Sequence, residues 1–154
     1  MGTEIERKFL VQGRDYKKEG KAVFIKQGYI CHNPESVVRV RTYGEEAFLT
    51  VKGKVSGLSR DEFEYSIPLK DAEEMLERLC TNYIVEKFRY EINCRGSLWV
   101  VDEFKSHNEG LILAEIELES EGAPFESPLW IGEEITHDFK YAGSNLSLHP
   151  YTFW

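Results

Sequence analysis

Glu4, Glu6 and Lys8 stand two residues apart near the amino terminus, and the same spacing recurs in Arg39 and Arg41, Glu62 and Glu64, Lys87 and Arg89, and Glu115, Glu117 and Glu119. Residues i and i+2 of a β-strand share one face, so each run would present its charges together. Paired basic groups suit phosphate oxygens, which guanidinium and ammonium groups bind through charge-assisted hydrogen bonds. Clustered carboxylates suit hard divalent cations such as magnesium, which keep several waters and share phosphate oxygens. Lys52, two residues after Thr50, adds a further cation. Basic and acidic runs together point to phosphoryl chemistry with a metal.

For these runs to meet, the chain must make strands. Alternation of polar and apolar residues predicts eight, over Thr3–Val11, Ala22–Cys31, Ser36–Thr42, Ala47–Lys52, Arg60–Ile67, Ile84–Asn93, Ser97–Phe104 and Ile112–Glu119. Short connections with turn chemistry, such as His32-Asn33-Pro34-Glu35 and Arg95-Gly96, predict antiparallel neighbours in a meander. One helix is expected where Asp71 and Glu74 form a capping box and Ala72, Met75, Leu76 and Leu79 share a face. Shorter helical turns are expected near Arg14–Glu19 and within Phe139–Leu148, where Gly143 counts against helix.

The faces opposite the charges are apolar: Val38 and Val40, Phe63 and Tyr65, Phe88 and Tyr90, Ile116 and Leu118. The ordinary account of such strands is a charged face in water. A solvated face, however, mixes signs, because like charges side by side repel, and here whole strands carry one sign. A closed barrel of about eight strands encloses side chains or one small ligand. Turned inward, the charged faces would line such a lumen, and since an unpaired buried ion costs several kcal/mol, both signs would need a ligand to pair them.

At 154 residues the chain is expected to form one domain over 1–154, and its 42% hydrophobic content is enough for a core. A net charge of -8 excludes a general binder of duplex nucleic acid or anionic lipid. No apolar run resembles a signal peptide or approaches the roughly 18 residues of a membrane span, so a cytoplasmic protein is expected. Cys31, Cys80 and Cys94 are odd in number and widely spaced, which predicts free thiols, and no histidine has metal-ligand spacing. Apolar strand faces left uncovered by a single good helix leave room for a homodimer.

Glu4-Ile5-Glu6-Arg7-Lys8 resembles the ExExK signature of the CYTH, or triphosphate tunnel metalloenzyme, superfamily. The similarity continues in order through Gln27-Gly28-Tyr29, Arg39-Val40-Arg41, Thr50-Val51-Lys52-Gly53, Glu62-Phe63-Glu64, Lys87-Phe88-Arg89, Asp102 and Glu115-Ile116-Glu117. A lone ExExK is weak; the ordered series is specific. The resemblance implies a mainly β (α+β) fold, an eight-stranded antiparallel β-barrel tunnel with a few flanking helices. It implies phosphate binding by Lys8, Arg39, Arg41, Lys52, Lys87 and Arg89, with Lys140 as the basic residue of the tail. It implies a divalent metal, Mg2+ or Mn2+, held by Glu4, Glu6, Glu62, Glu64, Glu115 and Glu117, and catalytic roles for Lys8 and Tyr29. The activity implied is hydrolysis of a small-molecule triphosphate, foremost inorganic tripolyphosphate to diphosphate and phosphate. A class IV adenylyl cyclase, with Phe24, Trp99 or Tyr29 stacking the base, is an alternative. Others are a thiamine triphosphatase using Trp130 or Trp154, and a polyphosphate-binding module without turnover.

Overall fold

The computed structural model describes residues 2–154. The alternating segments become β1 (Gly2–Val11), β2 (Ala22–Asn33), β3 (Ser36–Tyr43), β4 (Glu46–Gly53), β5 (Ser59–Ser66), β6 (Thr81–Cys94), β7 (Ser97–Lys105) and β8 (Ile112–Glu117), all within a few residues of the expected bounds. Helix α1 (Leu69–Arg78) separates β5 from β6, and a short β9 (Ile131–Glu134) and α2 (Gly143–Leu148) follow β8.

Eight strands close into an antiparallel barrel in the order β1-β5-β4-β3-β2-β6-β7-β8, with β8 returning to β1. This is not the simple meander expected. β1 is split between two partners, with Gly2–Ile5 paired to β5 and Glu6–Leu10 to β8, while β2 pairs with β6. Turn chemistry identifies strands joined by hairpins, but it carries no information on which edges close a barrel. β9 lies outside the ring against β1, with Phe9 opposite Glu134. Its sequence, Ile-Gly-Glu-Glu, is too short to show alternation.

The apolar faces point outward, where three clusters bury them. Phe9, Tyr16, Ile92, Trp99, Val101, Ala114, Ile116 and Trp130 form one. Val85, Phe104, Leu111, Leu113 and Ile135 receive Leu146 of α2 in a second, and Val40 and Ala47 receive Ala72 and Leu76 of α1 in the third. The expected capping box is absent. α1 begins earlier, after Pro68 as N-cap, so Asp71 falls in the first turn, where its charge favours the helix dipole without a cap hydrogen bond. Leu79 ends the helix exposed, and Phe63 and Tyr65 on the outer face of β5 also remain accessible. Arg14–Glu19 holds one 3-10 turn (Asp15–Lys18), whose Tyr16 is fully buried. The tail holds a 3-10 turn (Phe139–Tyr141) and then α2, which starts at Gly143. Among the described residues the three cysteines are free and no helix is long and apolar enough to cross a membrane.

Candidate functional site

With the apolar faces outside, the charged faces line a cavity of about 770 Å³. Glu4, Glu6 and Lys8 of β1, Tyr29 of β2, Arg39 and Arg41 of β3, Lys52 of β4, Glu62 and Glu64 of β5, Lys87 and Arg89 of β6, and Glu115 and Glu117 of β8 all reach its wall. Register explains their meeting. Lys52 is opposite Glu62, Thr50 opposite Glu64 and Arg39, and Lys8 opposite Glu115.

Much of the charge is paired. Lys52 Nζ contacts Glu4 at 3.1 Å and Glu62 at 3.2 Å. Glu64 receives Arg39 and Arg41, each at 3.4 Å, and accepts a 2.7 Å hydrogen bond from Thr50 Oγ1. Lys8 Nζ is 3.3 Å from Glu115. Asp102 accepts from Lys87 Nζ and from both Arg89 Nε and an Arg89 terminal nitrogen, each at 2.8 Å. Burial opposes its ionisation, but Arg89 and Lys87 win and hold its carboxyl well below the usual range.

What is left over falls into two poles. On the basic one, burial and the neighbouring Arg39 and Arg89 push Arg41 down to about 10, and burial together with Arg89 outweighs Asp102 to bring Lys87 to about 8. The Nε groups of Arg39 and Arg41 are buried with no hydrogen-bond acceptor among the described residues. On the acidic one, Glu6 and Glu117 have no ion-pair partner among the described residues. Burial, then Glu115 and Glu4, raise Glu6 to about 7, while burial, then Glu4 and Glu62, raise Glu117 above the ordinary carboxylate value. One pole lacks an anion and the other a cation.

The donor set fits a divalent metal. Carboxylates are the ligands such hard ions take, and two of these, Glu6 and Glu117, are raised first by burial and then by neighbouring carboxylates, a repulsion that a cation would relieve. Among the described residues no three of them converge to hold an ion, so an ion bound here would complete its shell with water and phosphate oxygens.

Lys140 is not brought to this wall. Its Nζ lies 4.8 Å from the Trp154 ring centroid and 5.2 Å from that of Tyr141, a cation–π seat at the tail. Lys140 was expected there as the basic tail residue that the resemblance implies; its neighbours Asp138, Phe139 and Ala142 line the cavity, but it does not. Glu119, expected within the last barrel strand, lies past its end but still on the wall. Sequence reasoning assigned no role to Gln27, Thr50, Arg60, Asp102 or Thr136. Asp102 was the most findable, as a charge directly after the apolar Trp99-Val100-Val101 and already part of the ordered family series. Of the aromatic residues considered for a base or ring, Trp99 and Trp130 are buried outside the barrel and Phe24 packs on Phe88. Trp154 packs on Tyr141 and Tyr151; only Tyr29 lines the cavity.

Comparison with known proteins accords with this geometry. The model of the CYTH domain matches residues 2–147. An inorganic triphosphatase of Acetivibrio thermocellus is 50% identical over 98% of this chain and 97% of its own. One from Nitrosomonas europaea is 41% identical over 95% and 97%. A crystal structure of an inorganic triphosphatase superposes with a TM-score of 0.69 at 35% identity, covering 94% of this chain and 97% of that one.

Proposed function

The chain belongs to the CYTH domain family, and from that premise we propose that it is a metal-dependent inorganic triphosphatase, converting tripolyphosphate and water to diphosphate and phosphate. The observation that carries this reading is one lumen lined on one side by Arg39, Arg41, Lys87 and Arg89 and on the other by Glu4, Glu6, Glu115 and Glu117, with Glu6 and Glu117 in no ion pair among the described residues. A linear triphosphate with a divalent ion supplies an anion to the first side and a cation to the second.

Arg39, Arg41, Lys52, Lys87 and Arg89 hold phosphate oxygens and neutralise the charge that grows on the leaving diphosphate. Arg39 and Arg41 do so from positions already fixed by Glu64 and Thr50, so little reorganisation accompanies binding. Glu6 and Glu117, with Glu4, Glu62, Glu64 and Glu115 around them, hold the metal directly or through water. Mg2+ or Mn2+ there would neutralise phosphate charge and polarise the phosphoryl group under attack. Lys8, tied to Glu115 at the boundary between the poles, contacts the attacked phosphoryl group. Tyr29 donates a hydrogen bond from the wall, and a carboxylate orients the attacking water for in-line displacement. Lys140 belongs outside this machinery.

The cyclase and thiamine readings lose support because Phe24, Trp99, Trp130 and Trp154 lie away from the cavity. The test is incubation of the protein with tripolyphosphate, ATP and thiamine triphosphate, with and without Mg2+ or Mn2+. Metal-dependent phosphate plus diphosphate from tripolyphosphate is expected; cyclic AMP, or binding without products, would replace this reading with a cyclase or a binding module. The same reading takes 1–154 as one cytoplasmic domain and leaves a homodimer to sedimentation equilibrium.

A further inference from the structure

Tyr29 is 5% exposed and Gln27 is 2% exposed, and both face the cavity from β2. Gln27 Nε2 donates to the Tyr29 hydroxyl oxygen at 3.2 Å. That oxygen therefore acts as acceptor toward Gln27, which leaves its own O–H to donate into the cavity, close enough to Lys8 to bear on its charge. Gln27 Oε1 is buried and has no partner among the described residues.

Gly143, the first residue of α2, stands against this pair. A Cβ there would overlap the Tyr29 hydroxyl oxygen and lie 3.1 Å from Gln27 Nε2, but would be 3.7 Å from Tyr29 Cζ, an ordinary contact. Its φ is outside the left-handed region, so the backbone does not call for glycine; the phenol oxygen does. The helix has little freedom to retreat. Leu146 is fully buried among Val85, Phe104 and Leu113, and Ser147 Oγ donates to the Tyr83 carbonyl at 2.6 Å.

We propose that Gln27 and Gly143 are positioning residues that together fix the Tyr29 phenol as a hydrogen-bond donor to the bound phosphate chain, Gln27 by holding its oxygen and Gly143 by leaving room for it. The proposal rests on the triphosphatase reading and extends it to the tail.

The test is a double-mutant cycle with Tyr29→Phe and Gly143→Ala, read as kcat/KM on tripolyphosphate with Mg2+ or Mn2+ and accompanied by thermal unfolding. Each single variant should lose about tenfold or more, the scale of one hydrogen bond to a charged group. In the Tyr29→Phe background the added methyl meets the ring carbon and the end of the Gln27 side chain, which has lost its hydroxyl partner and is free to shift, so Gly143→Ala should cost no more than about twofold there. A merely structural effect of the clash would lower the unfolding midpoint of Gly143→Ala in step with its activity, whereas a positioning effect lowers kcat/KM at a nearly unchanged midpoint. Equal losses in both backgrounds, or a Tyr29→Phe variant as active as wild type, overturn the proposal. Should Gly143→Ala fail to fold, Gln27→Leu replaces it in the same cycle. Should the wild type not hydrolyse tripolyphosphate, the functional reading fails, and the cycle is read instead as tripolyphosphate affinity; absence of both turnover and binding overturns both.

Discussion

The wall made by β3 and β6 carries Arg39, Arg41, Lys87 and Arg89, whereas the wall made by β1 and β8 carries Glu4, Glu6, Glu115 and Glu117. The chain treats them alike, giving each some counter-charge of its own: Glu64 and Asp102 among the cations, Lys8 and Lys52 among the carboxylates. It also leaves each incomplete, with buried guanidinium donors on one side and unpaired carboxylates on the other. The difference is in what completes them. Partial pairing lowers the cost of burying both sets of charge, and the residual imbalance suits a ligand bearing both signs.

The largest effect expected is on the internal counter-charges. Asp102→Ala leaves Lys87 and Arg89 buried without the carboxylate they share, and should cost about 3–5 kcal/mol of stability in urea unfolding. A variant as stable as wild type would show that the basic pole tolerates far more excess charge than argued. Next come the groups that meet the ligand. Arg41→Ala and Lys8→Ala should each lower kcat by about 10²–10³-fold with unfolding midpoints close to wild type; retained turnover removes the residue from the mechanism.

A smaller effect separates the poles by pH. Glu6 titrates at about 7 in the fold against 4.5 ordinarily, so the folded chain binds this proton more tightly than the unfolded one. Its penalty is absent below 4.5, grows as pH rises, and is fully present above about 7. In EDTA, Glu6→Gln should therefore gain on the order of 3 kcal/mol over wild type at pH 8 and nothing at pH 4. A difference independent of pH would mean Glu6 is not the strained carboxylate. The smallest effect is at the tail: Lys140→Ala should stay within about twofold in kcat/KM, as an exposed substitution does, and a large loss would return it to the site.

Much of this was legible because a strand's period of two transmits position directly to face. Arg39 and Arg41, or Glu115 and Glu117, needed no tertiary knowledge to be placed together, and their segregation by sign argued for a lumen. Closure was less legible, since the pairing of β1 with both β5 and β8 joins segments about fifty and a hundred residues distant without a turn to mark it. The capping box failed because Pro68 starts α1 before Asp71 can cap it. Asp102 and Gln27 escaped assignment for a different reason. Each acts through what it holds, Arg89 and Lys87 in one case and Tyr29 in the other, and such partners appear only when strands are paired.

The central claim is that the two poles serve one ligand, so metal and triphosphate must bind with coupled affinities. Calorimetric titration of a non-hydrolysable, methylene-bridged tripolyphosphate, with and without Mg2+, tests this directly in the wild type and in a Glu6→Gln, Glu117→Gln double variant. Mg2+ should tighten tripolyphosphate binding to the wild type by tenfold or more, roughly 1.4 kcal/mol of coupling, and the variant should lose most of that gain. Affinity unaffected by Mg2+, or a gain undiminished in the variant, would contradict the account.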